Sequence, residues 1–87
     1  MPAATQVWSH VFSKALARLP SGVQSRVVEA VDALGWRLDV FDHKRLQGSD
    51  AYRLRVGDYR VIYDFNGVEG TIHLLFVGHR REIYNDL

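Results

Sequence analysis

The sequence contains no cysteine and only two prolines. Without cysteine the chain forms no disulfide and offers no thiolate metal ligand or thiol nucleophile, so it does not need an oxidising compartment. No apolar run approaches the roughly 18 residues of a membrane-spanning helix, and residues 1–10 lack a basic segment followed by an apolar one. We therefore exclude disulfide-framework, thiolate-metal and membrane-spanning proteins and expect a cytoplasmic location without membrane contact.

Several catalytic motifs are also missing. The sequence has no glycine-rich phosphate loop, no G-x-S-x-G nucleophile elbow and no evident pair of carboxylates. The four histidines are His10, His43, His73 and His79. They lack the short spacing of metal ligands, so we expect neither a metal site nor a cofactor.

What the chain does have is apolar content and a local excess of positive charge. Its 87 residues are 47% hydrophobic, which predicts one globular domain over residues 1–87. The net charge is only +1, but residues 44–60 carry Lys44, Arg45, Arg53, Arg55 and Arg60 against Asp50 and Asp58. Five minus two leaves a clustered excess of three, which favours a polyanionic partner.

Residues 52–65, YRLRVGDYRVIYDF, have the clearest pattern in the chain. Two runs of alternating apolar and polar residues flank Gly57-Asp58, and a two-residue connection with glycine first is typical of a type II′ hairpin turn. This turn predicts that Arg55 lies opposite Arg60. The pattern therefore indicates a β-hairpin of known register.

The two faces of this hairpin differ because side chains alternate with a period of two. One face is apolar and aromatic and must pack on something, whereas the other carries Arg53, Arg55 and Arg60. Like charges directly opposite each other destabilise a sheet. Either Asp58 and Asp64 neutralise a solvated face, or the arginines are there to bind an anion.

Two helices are predicted before the hairpin. Residues 5–12 fit either a strand or the start of a helix, and we expect a short strand that leads into a helix from about Ser13 to Pro20. Ser21 then caps a second helix with an apolar stripe, and Gly35 ends it. The short link between these helices predicts a helical hairpin that covers the apolar face of the sheet.

The segments on either side of the hairpin are less regular. Residues 36–51 have no clear period, and we expect His43 in a solvated loop. Residues 71–80 form a buried strand whose register depends on the preceding loop. A two-residue turn puts His73 and Val77 on the Arg60 face, whereas a loop over residues 66–70 puts Ile72, Leu74, Phe76 and Arg80 there.

The arginines suit phosphate chemistry. Guanidinium groups bind phosphate bidentately and stay charged. A phosphodiester gains negative charge in its pentavalent transition state, and fixed positive groups lower that barrier. Nearby aromatic rings can stack on bases. These features predict RNA binding and, at most, RNA cleavage in which the 2′-hydroxyl is the nucleophile.

The segments LQGSDAYRLRVGDYRVIYDF and LLFVGHRREIY, preceded by two helices, resemble the RelE/ParE superfamily of small bacterial toxins from toxin–antitoxin systems. The resemblance implies an α+β fold with a small antiparallel sheet and an N-terminal helical hairpin on one face. It also implies a cognate antitoxin that binds the toxin in a heterodimer or heterotetramer. Operator DNA is expected to be bound only through this antitoxin. In the RelE branch it implies metal-independent cleavage of mRNA in the ribosomal A site.

The resemblance assigns roles to individual positions. It implies catalytic roles for Arg53 and Arg55 on the first hairpin strand, transition-state stabilisation by Arg60, protonation or stabilisation of the leaving oxygen by Arg80, and orientation of a nucleotide by Tyr84. Further RNA contacts are expected from Lys44, Arg45 and Arg81.

One position departs from the family pattern. Arg55 stands where the family has a lysine proposed as general base, and arginine does not readily release a proton. Three accounts remain. The arginines act purely electrostatically, or His79 or Lys44 accepts the proton, or the chain is not a nuclease.

Two other functions stay open at this point. The ParE branch shares the Y-R-x-R-x-G-x-Y-R and G-H-R motifs but poisons DNA gyrase. A catalytically silent module would only bind its antitoxin. In each case we expect an exposed apolar groove for the partner, with Trp8, Trp36 and Phe41 as candidate lining residues.

Overall fold

In a computed structural model, residues 3–86 are described, with side chains up to Ile83. A five-stranded sheet has the strand order β1-β5-β4-β3-β2, and the predicted α+β fold is confirmed. The elements in chain order are β1 (Thr5–Trp8), α1 (His10–Ala17), α2 (Ser21–Trp36), β2 (Lys44–Arg45), β3 (Tyr52–Val56), β4 (Tyr59–Asn66), β5 (Thr71–His79) and α3 (Arg80–Asp86).

The first strand gives way to a helix earlier than expected. The Ser9 hydroxyl accepts a hydrogen bond from the backbone N–H of Phe12 at 2.9 Å, so Ser9 is the N-cap and α1 begins at His10 rather than near Ser13. The strand pairs in parallel with β5. The sheet is therefore mixed, and the expectation of an all-antiparallel sheet is wrong at this edge.

The second helix is longer than its capping signals suggested. Pro20 occupies the N-cap without a side-chain hydrogen bond, and Ser21 is already helical. Gly35 lies inside the helix, and its carbonyl accepts a hydrogen bond from the Ala4 N–H at 3.0 Å. The helix ends one residue later, at Trp36.

The hairpin of β3 and β4 is confirmed in its predicted register, with Arg55 opposite Arg60. Gly57 has a φ of +59°, and no non-glycine residue that the structure describes has a positive φ. One positive φ at the first turn position is the pattern of a type II′ turn. The local sequence thus determines this part of the fold.

The register of β5 follows neither prediction along its whole length. The loop covers residues 67–70, and Phe65 pairs with Ile72. Further along, Tyr63 pairs with Leu74 but Ile62 pairs with Phe76, so Leu75 is the extra residue of a β-bulge.

The bulge changes which residues face the helices. Before it, Ile72 and Leu74 face the helices and are fully buried there, and beyond it Val77 takes over this side. His73 and Phe76 lie on the Arg60 side. Of the residues that each predicted register put on the Arg60 side, only one lies there. It is His73 for the two-residue turn and Phe76 for the longer loop.

Two hydrophobic clusters hold the sheet. The larger, which we call the helix-side core, joins α1 and α2 to the sheet and includes Phe12, Leu16, Val27, Val31, Leu34, Val61, Tyr63, Ile72, Leu74 and Val77. The smaller lies on the opposite face and joins α3 to the sheet through Leu46, Ala51, Ile62 and Ile83. Most of the sheet face opposite α1 and α2 thus lies outside the main core.

Candidate functional site: an arginine-rich sheet face

The sheet face opposite α1 and α2 collects most of the basic side chains singled out above. Along β2 and β3, Lys44 pairs with Arg53, and along β3 and β4, Arg55 pairs with Arg60. We call this surface the arginine face, and its members are Lys44, Arg53, Arg55, Arg60, Ile62, Asp64, His73 and Phe76.

One accessible part of this face is a cleft at the outer edge of β3. It has a volume of about 460 Å³ and is lined by Phe41, Asp42, Lys44, Arg53, Leu54 and Arg55. Lys44 Nζ lies 2.7 Å from Asp42 Oδ2, and the hydrogen bond and charge of Lys44 lower the pKa of Asp42. Among the described residues, no carboxylate is within salt-bridge distance of Arg53 or Arg55. Two guanidinium groups are therefore left for an external anion.

Arg60 lies on this face but is only 3% exposed. One of its Nη atoms donates to the carbonyl oxygens of Gly57 and Tyr59, both at 2.9 Å, while its Nε is buried without a partner in the described part of the chain. In this conformation the hydrogen bonds of Arg60 stabilise the hairpin turn, and its guanidinium is buried from solvent.

The third helix, α3, was not predicted, and it starts beside the hairpin that carries Arg60. The backbone N–H of Arg80 donates to the Asp58 carbonyl at 2.8 Å, which brings the start of α3 to the hairpin tip. Gly78 lies opposite Arg60, and a Cβ there would approach the Phe76 ring to 2.9 Å and the Glu82 carboxylate to 3.3 Å. Glycine at position 78 therefore leaves room for both the Phe76 ring and the Glu82 carboxylate next to the strand.

The remaining predicted site residues are spread around this region. Arg80 and Arg81 are exposed, and Arg80 lies in α3 rather than on a strand as expected. Arg45 pairs with Asp50 at 3.3 Å and lies over the Tyr52 ring, which belongs to the other face of the sheet. The side chain of Tyr84 is outside the described residues.

His79 lies on the helix side of the sheet. It pairs with Tyr59 across the strands, and the two rings are 5.5 Å apart. Its Nδ1 accepts a hydrogen bond from the backbone N–H of Arg81 at 3.2 Å. This placement, across the sheet from Arg55, gives no support to a proton-transfer role.

The expectation that His43 is in a solvated loop is wrong. Its ring stacks on Phe65 at 4.0 Å, its Nε2 lies 2.9 Å from the Leu38 carbonyl, and its Nδ1 lies 2.6 Å from the Tyr63 hydroxyl. Because a carbonyl only accepts, Nε2 carries the proton of the neutral ring and the Tyr63 hydroxyl donates to Nδ1. Burial, helped by nearby Tyr52, raises the pKa of Tyr63 to about 12.

Sequence reasoning missed a second pair of polar groups on the arginine face. His73 Nδ1 lies 2.8 Å from Asp64 Oδ1 across β4 and β5. The two-residue register placed His73 on this face, but neither register paired it with Asp64. A search for an imidazole and a carboxylate opposite each other in a neighbouring register would have found the pair.

The exposed aromatic residues give a mixed picture. Trp8 and Trp36 are 40% and 63% exposed, as a partner-binding groove would need. Phe41 is half-buried and packs edge-on against His43 at 5.3 Å, so it belongs partly to the core. That these residues line a groove stays a prediction.

Two further kinds of feature are absent from the residues that the structure describes. No three histidine, cysteine, aspartate or glutamate side chains come together in a group able to hold a metal ion. No helix combines the length and the apolar character needed to cross a bilayer.

Comparison with known proteins gives the family of the fold. Residues 6–84 match the profile of the family described as ParE toxin of the type II toxin–antitoxin system parDE. No curated protein matches the chain significantly.

Solved toxin–antitoxin complexes are also similar. The archaeal RelE–RelB complex from Pyrococcus horikoshii is similar at 32% identity, with a TM-score of 0.73 over 91% of this chain and 97% of that one. The RelBE toxin–antitoxin complex from Mycobacterium tuberculosis is similar at 27% identity, with a TM-score of 0.75 over 92% and 94%. The RelB–RelE complex from Methanococcus jannaschii is similar at 28% identity, with a TM-score of 0.71 over 93% and 98%.

Proposed function

The chain belongs to the ParE toxin family of type II toxin–antitoxin systems, and from its arginine face and its similarity to RelE toxins we propose that it inhibits translation as a ribosome-dependent mRNA endonuclease. The reaction needs no metal or cofactor and uses the RNA 2′-hydroxyl as nucleophile. The toxin acts in the cytoplasm, where its substrate is mRNA in the ribosomal A site. A cognate antitoxin restrains it, as in the related complexes, in a heterodimer or heterotetramer that reaches operator DNA through the antitoxin.

The observation that carries this proposal is the unneutralised charge of Arg53 and Arg55. Both lie beside Lys44 in one open cleft, and Arg55 lies opposite a third arginine. Cross-strand like charges cost free energy, and no carboxylate among the described residues offsets these two guanidinium groups. A bound phosphodiester would remove that cost.

The proposed roles combine these positions with the resemblance to the RelE branch. Arg53 and Arg55 hold the scissile phosphate and stabilise the charge that its non-bridging oxygens gain in the transition state. Arg80, at the exposed start of α3, stabilises the leaving oxygen, and Tyr84 orients a nucleotide. Lys44 and Arg81 bind flanking phosphates, whereas Arg45 lies on the other face of the sheet and pairs with Asp50.

Arg60 acts from beneath the surface in this proposal. Its charge is buried below the hairpin turn and hydrogen-bonded to backbone carbonyls, so it adds positive potential to the cleft and fixes the turn that positions Arg55. The first of the three accounts of the missing base then applies. The arginines act electrostatically, and water accepts the proton of the attacking 2′-hydroxyl. The bond from phosphorus to the 5′-oxygen breaks as the bond to the 2′-oxygen forms, and the leaving 5′-oxygen takes a proton from water.

The direct test uses programmed ribosomes. We expect the wild-type protein to cut mRNA in the A site, Arg80→Ala and Arg55→Ala to lower the rate by at least about tenfold, and Arg18→Ala to leave it unchanged. Arg18 is an exposed arginine at the end of α1 and serves as the matched control. Mapping of mRNA 5′ ends measures the cuts, and equal rates for all variants would reject the proposal.

Poisoning of DNA gyrase is the second candidate. The match to the ParE toxin family favours it. So do the hydrogen bonds from Arg60 to backbone carbonyls, because they keep this guanidinium from contacting a scissile phosphate. Gyrase-linked DNA breaks in the absence of any mRNA cut would select this function. Neither breaks nor cuts would select a silent antitoxin-binding module.

RNA binding has a separate signature. If arginines supply the attraction, affinity falls steeply as salt rises because bound phosphates release counterions. Fluorescence anisotropy with a non-cleavable RNA measures this slope. An affinity that does not change with salt would contradict binding by the arginine face.

A further inference from the structure

The pair of Asp64 and His73 forms a polar group at the far end of the arginine face. The two residues lie directly opposite each other on β4 and β5, and their side chains are 50% and 43% exposed. Asp64 accepts a hydrogen bond from His73 Nδ1–H at 2.8 Å. In its neutral form the ring then presents an Nε2 lone pair, and this atom has no hydrogen-bond partner in the described part of the chain.

The pair borders an open cleft with mostly apolar walls. The cleft has a volume of about 370 Å³ and is lined by Val7, Ser9, Asp64, His73, Leu74 and Leu75. This volume is at the lower end of the range of small-molecule sites, about 300–1,000 Å³. The cleft lies where the edge strand β1 meets the bulge of β5 at Leu75, so its shape is built by the backbone of three strands.

The cleft lies within reach of a strand bound at the arginines. Asp64 is four residues from Arg60 on the same face of β4, which is about 14 Å at the usual rise per residue. A stacked nucleic-acid strand rises about 3.4 Å per nucleotide. A strand whose phosphates bind at Arg55 must pass over α3, which covers Ile62 between the two sites, and therefore reaches this cleft with a base at least about four nucleotides away.

From these observations we propose that the cleft is a nucleobase subsite, in which His73 accepts a hydrogen bond from the base and Asp64 holds its ring. This inference rests on the proposed function, because it requires RNA on the arginine face. Apolar walls formed by Val7 and Leu75 suit the flat faces of a base. The site thus extends RNA recognition from the phosphates to one base.

The polar groups of the subsite also set its preference. Asp64 and the neutral His73 ring present acceptors to the ligand. Adenine, cytosine and guanine carry an exocyclic amino group that donates, whereas uracil presents carbonyl oxygens on both sides of its single ring N–H. The subsite therefore favours amino-bearing bases over uracil.

The test is equilibrium binding of short 2′-O-methyl RNAs, which cannot be cut. We expect oligoadenylate and oligocytidylate to bind the wild-type toxin about five- to tenfold more tightly than oligouridylate, the effect of about one net hydrogen bond. His73→Ala and Asp64→Ala should bring the ratio close to one. His73→Gln, which carries an acceptor at similar reach, should restore part of it.

Two controls separate this inference from the proposed function. Arg53→Ala should weaken binding to all three oligonucleotides equally, and Asp39→Asn, at an exposed carboxylate beyond α2, should change nothing. An unchanged ratio in His73→Ala, with Arg53→Ala still weakening all binding, would overturn the subsite and leave the proposed function standing. If Arg53→Ala had no effect, the proposed function itself would fail.

A structural role of the pair is also distinguishable. Circular dichroism melting curves show whether each variant is folded at the assay temperature, and His73→Gln supplies a folded variant if His73→Ala is not. If His73→Ala loosened the complex with the antitoxin but left the base preference intact, the cleft would be part of the antitoxin interface and the inference would be rejected.

Discussion

The two faces of the sheet share one backbone and differ in what covers them. On the helix side, Val61, Tyr63, Ile72 and Leu74 are fully buried beneath α1 and α2. On the arginine face, α3 covers Ile62 and its neighbours, while Arg53, Arg55 and the His73–Asp64 pair stay accessible to ligands. The covered face stabilises the fold, and the partly open face retains charges that a complete core would exclude.

The strongest test of this difference compares two neighbouring leucines. Leu74 is fully buried on the helix side, whereas Leu75 is half-buried in the bulge. We expect Leu74→Ala to lower the free energy of unfolding by about 3 kcal/mol, because it removes buried methyl groups and leaves a cavity. Leu75→Ala should cost about 1 kcal/mol. Urea denaturation measures both, and equal losses would show that the faces do not differ as described.

A smaller effect is expected from two arginines that are neighbours across the hairpin. Arg60→Ala should cost about 2 kcal/mol because it leaves the Gly57 and Tyr59 carbonyls without their donor. Arg55 is exposed and has no carboxylate partner among the described residues, so Arg55→Ala should change stability by less than about 0.5 kcal/mol. Comparison of the two urea midpoints decides this, and a large loss in Arg55→Ala would contradict it.

The hairpin was predictable because all its determinants are local. Alternation places Arg55 opposite Arg60, and glycine at the first turn position selects the turn type. The bulge at Leu75 was not predictable, because both sides of this strand are apolar and the pattern does not show where an extra residue belongs. The parallel pairing of β1 with β5 joins distant segments and leaves no local signal either.

The residues of the candidate site were predicted, but the burial of their side chains was not. The sequence indicated which arginines share a face, but it revealed neither the burial of Arg60 nor the helix α3 over residues 80–86. His43 was misjudged because its partners, Leu38 and Tyr63, are brought together only by the fold. The exposure of a charged side chain thus depends on the tertiary structure, even where the local sequence determines its strand and its register.

The helix side also predicts a response to alkaline pH. The pKa of Tyr63 is raised from 10.0 to about 12, so between these values the unfolded chain loses the phenolic proton and the folded chain keeps it. The raised pKa of Tyr63 therefore contributes fully to the free energy of unfolding below pH 10. This contribution, about 2 kcal/mol, is lost as the pH rises toward 12. Tyr63→Phe should remove this loss, whereas Tyr59→Phe should keep it. Urea midpoints measured from neutral to alkaline pH test this, and parallel profiles for the two variants would contradict it.

The smallest effect is expected at the edge of the arginine face, where Asp42 and Lys44 form an ion pair 2.7 Å long but largely exposed. The lowered pKa of Asp42 means that any contribution of the pair to stability is present at neutral pH and disappears as pH falls. Exposed pairs contribute little because water and salt screen them. Asp42→Asn should therefore leave the urea midpoint unchanged at neutral pH while strengthening RNA binding, since Lys44 loses its competing carboxylate. A lower midpoint with unchanged RNA affinity would show instead that this edge of the arginine face stabilises the fold, as the helix side does.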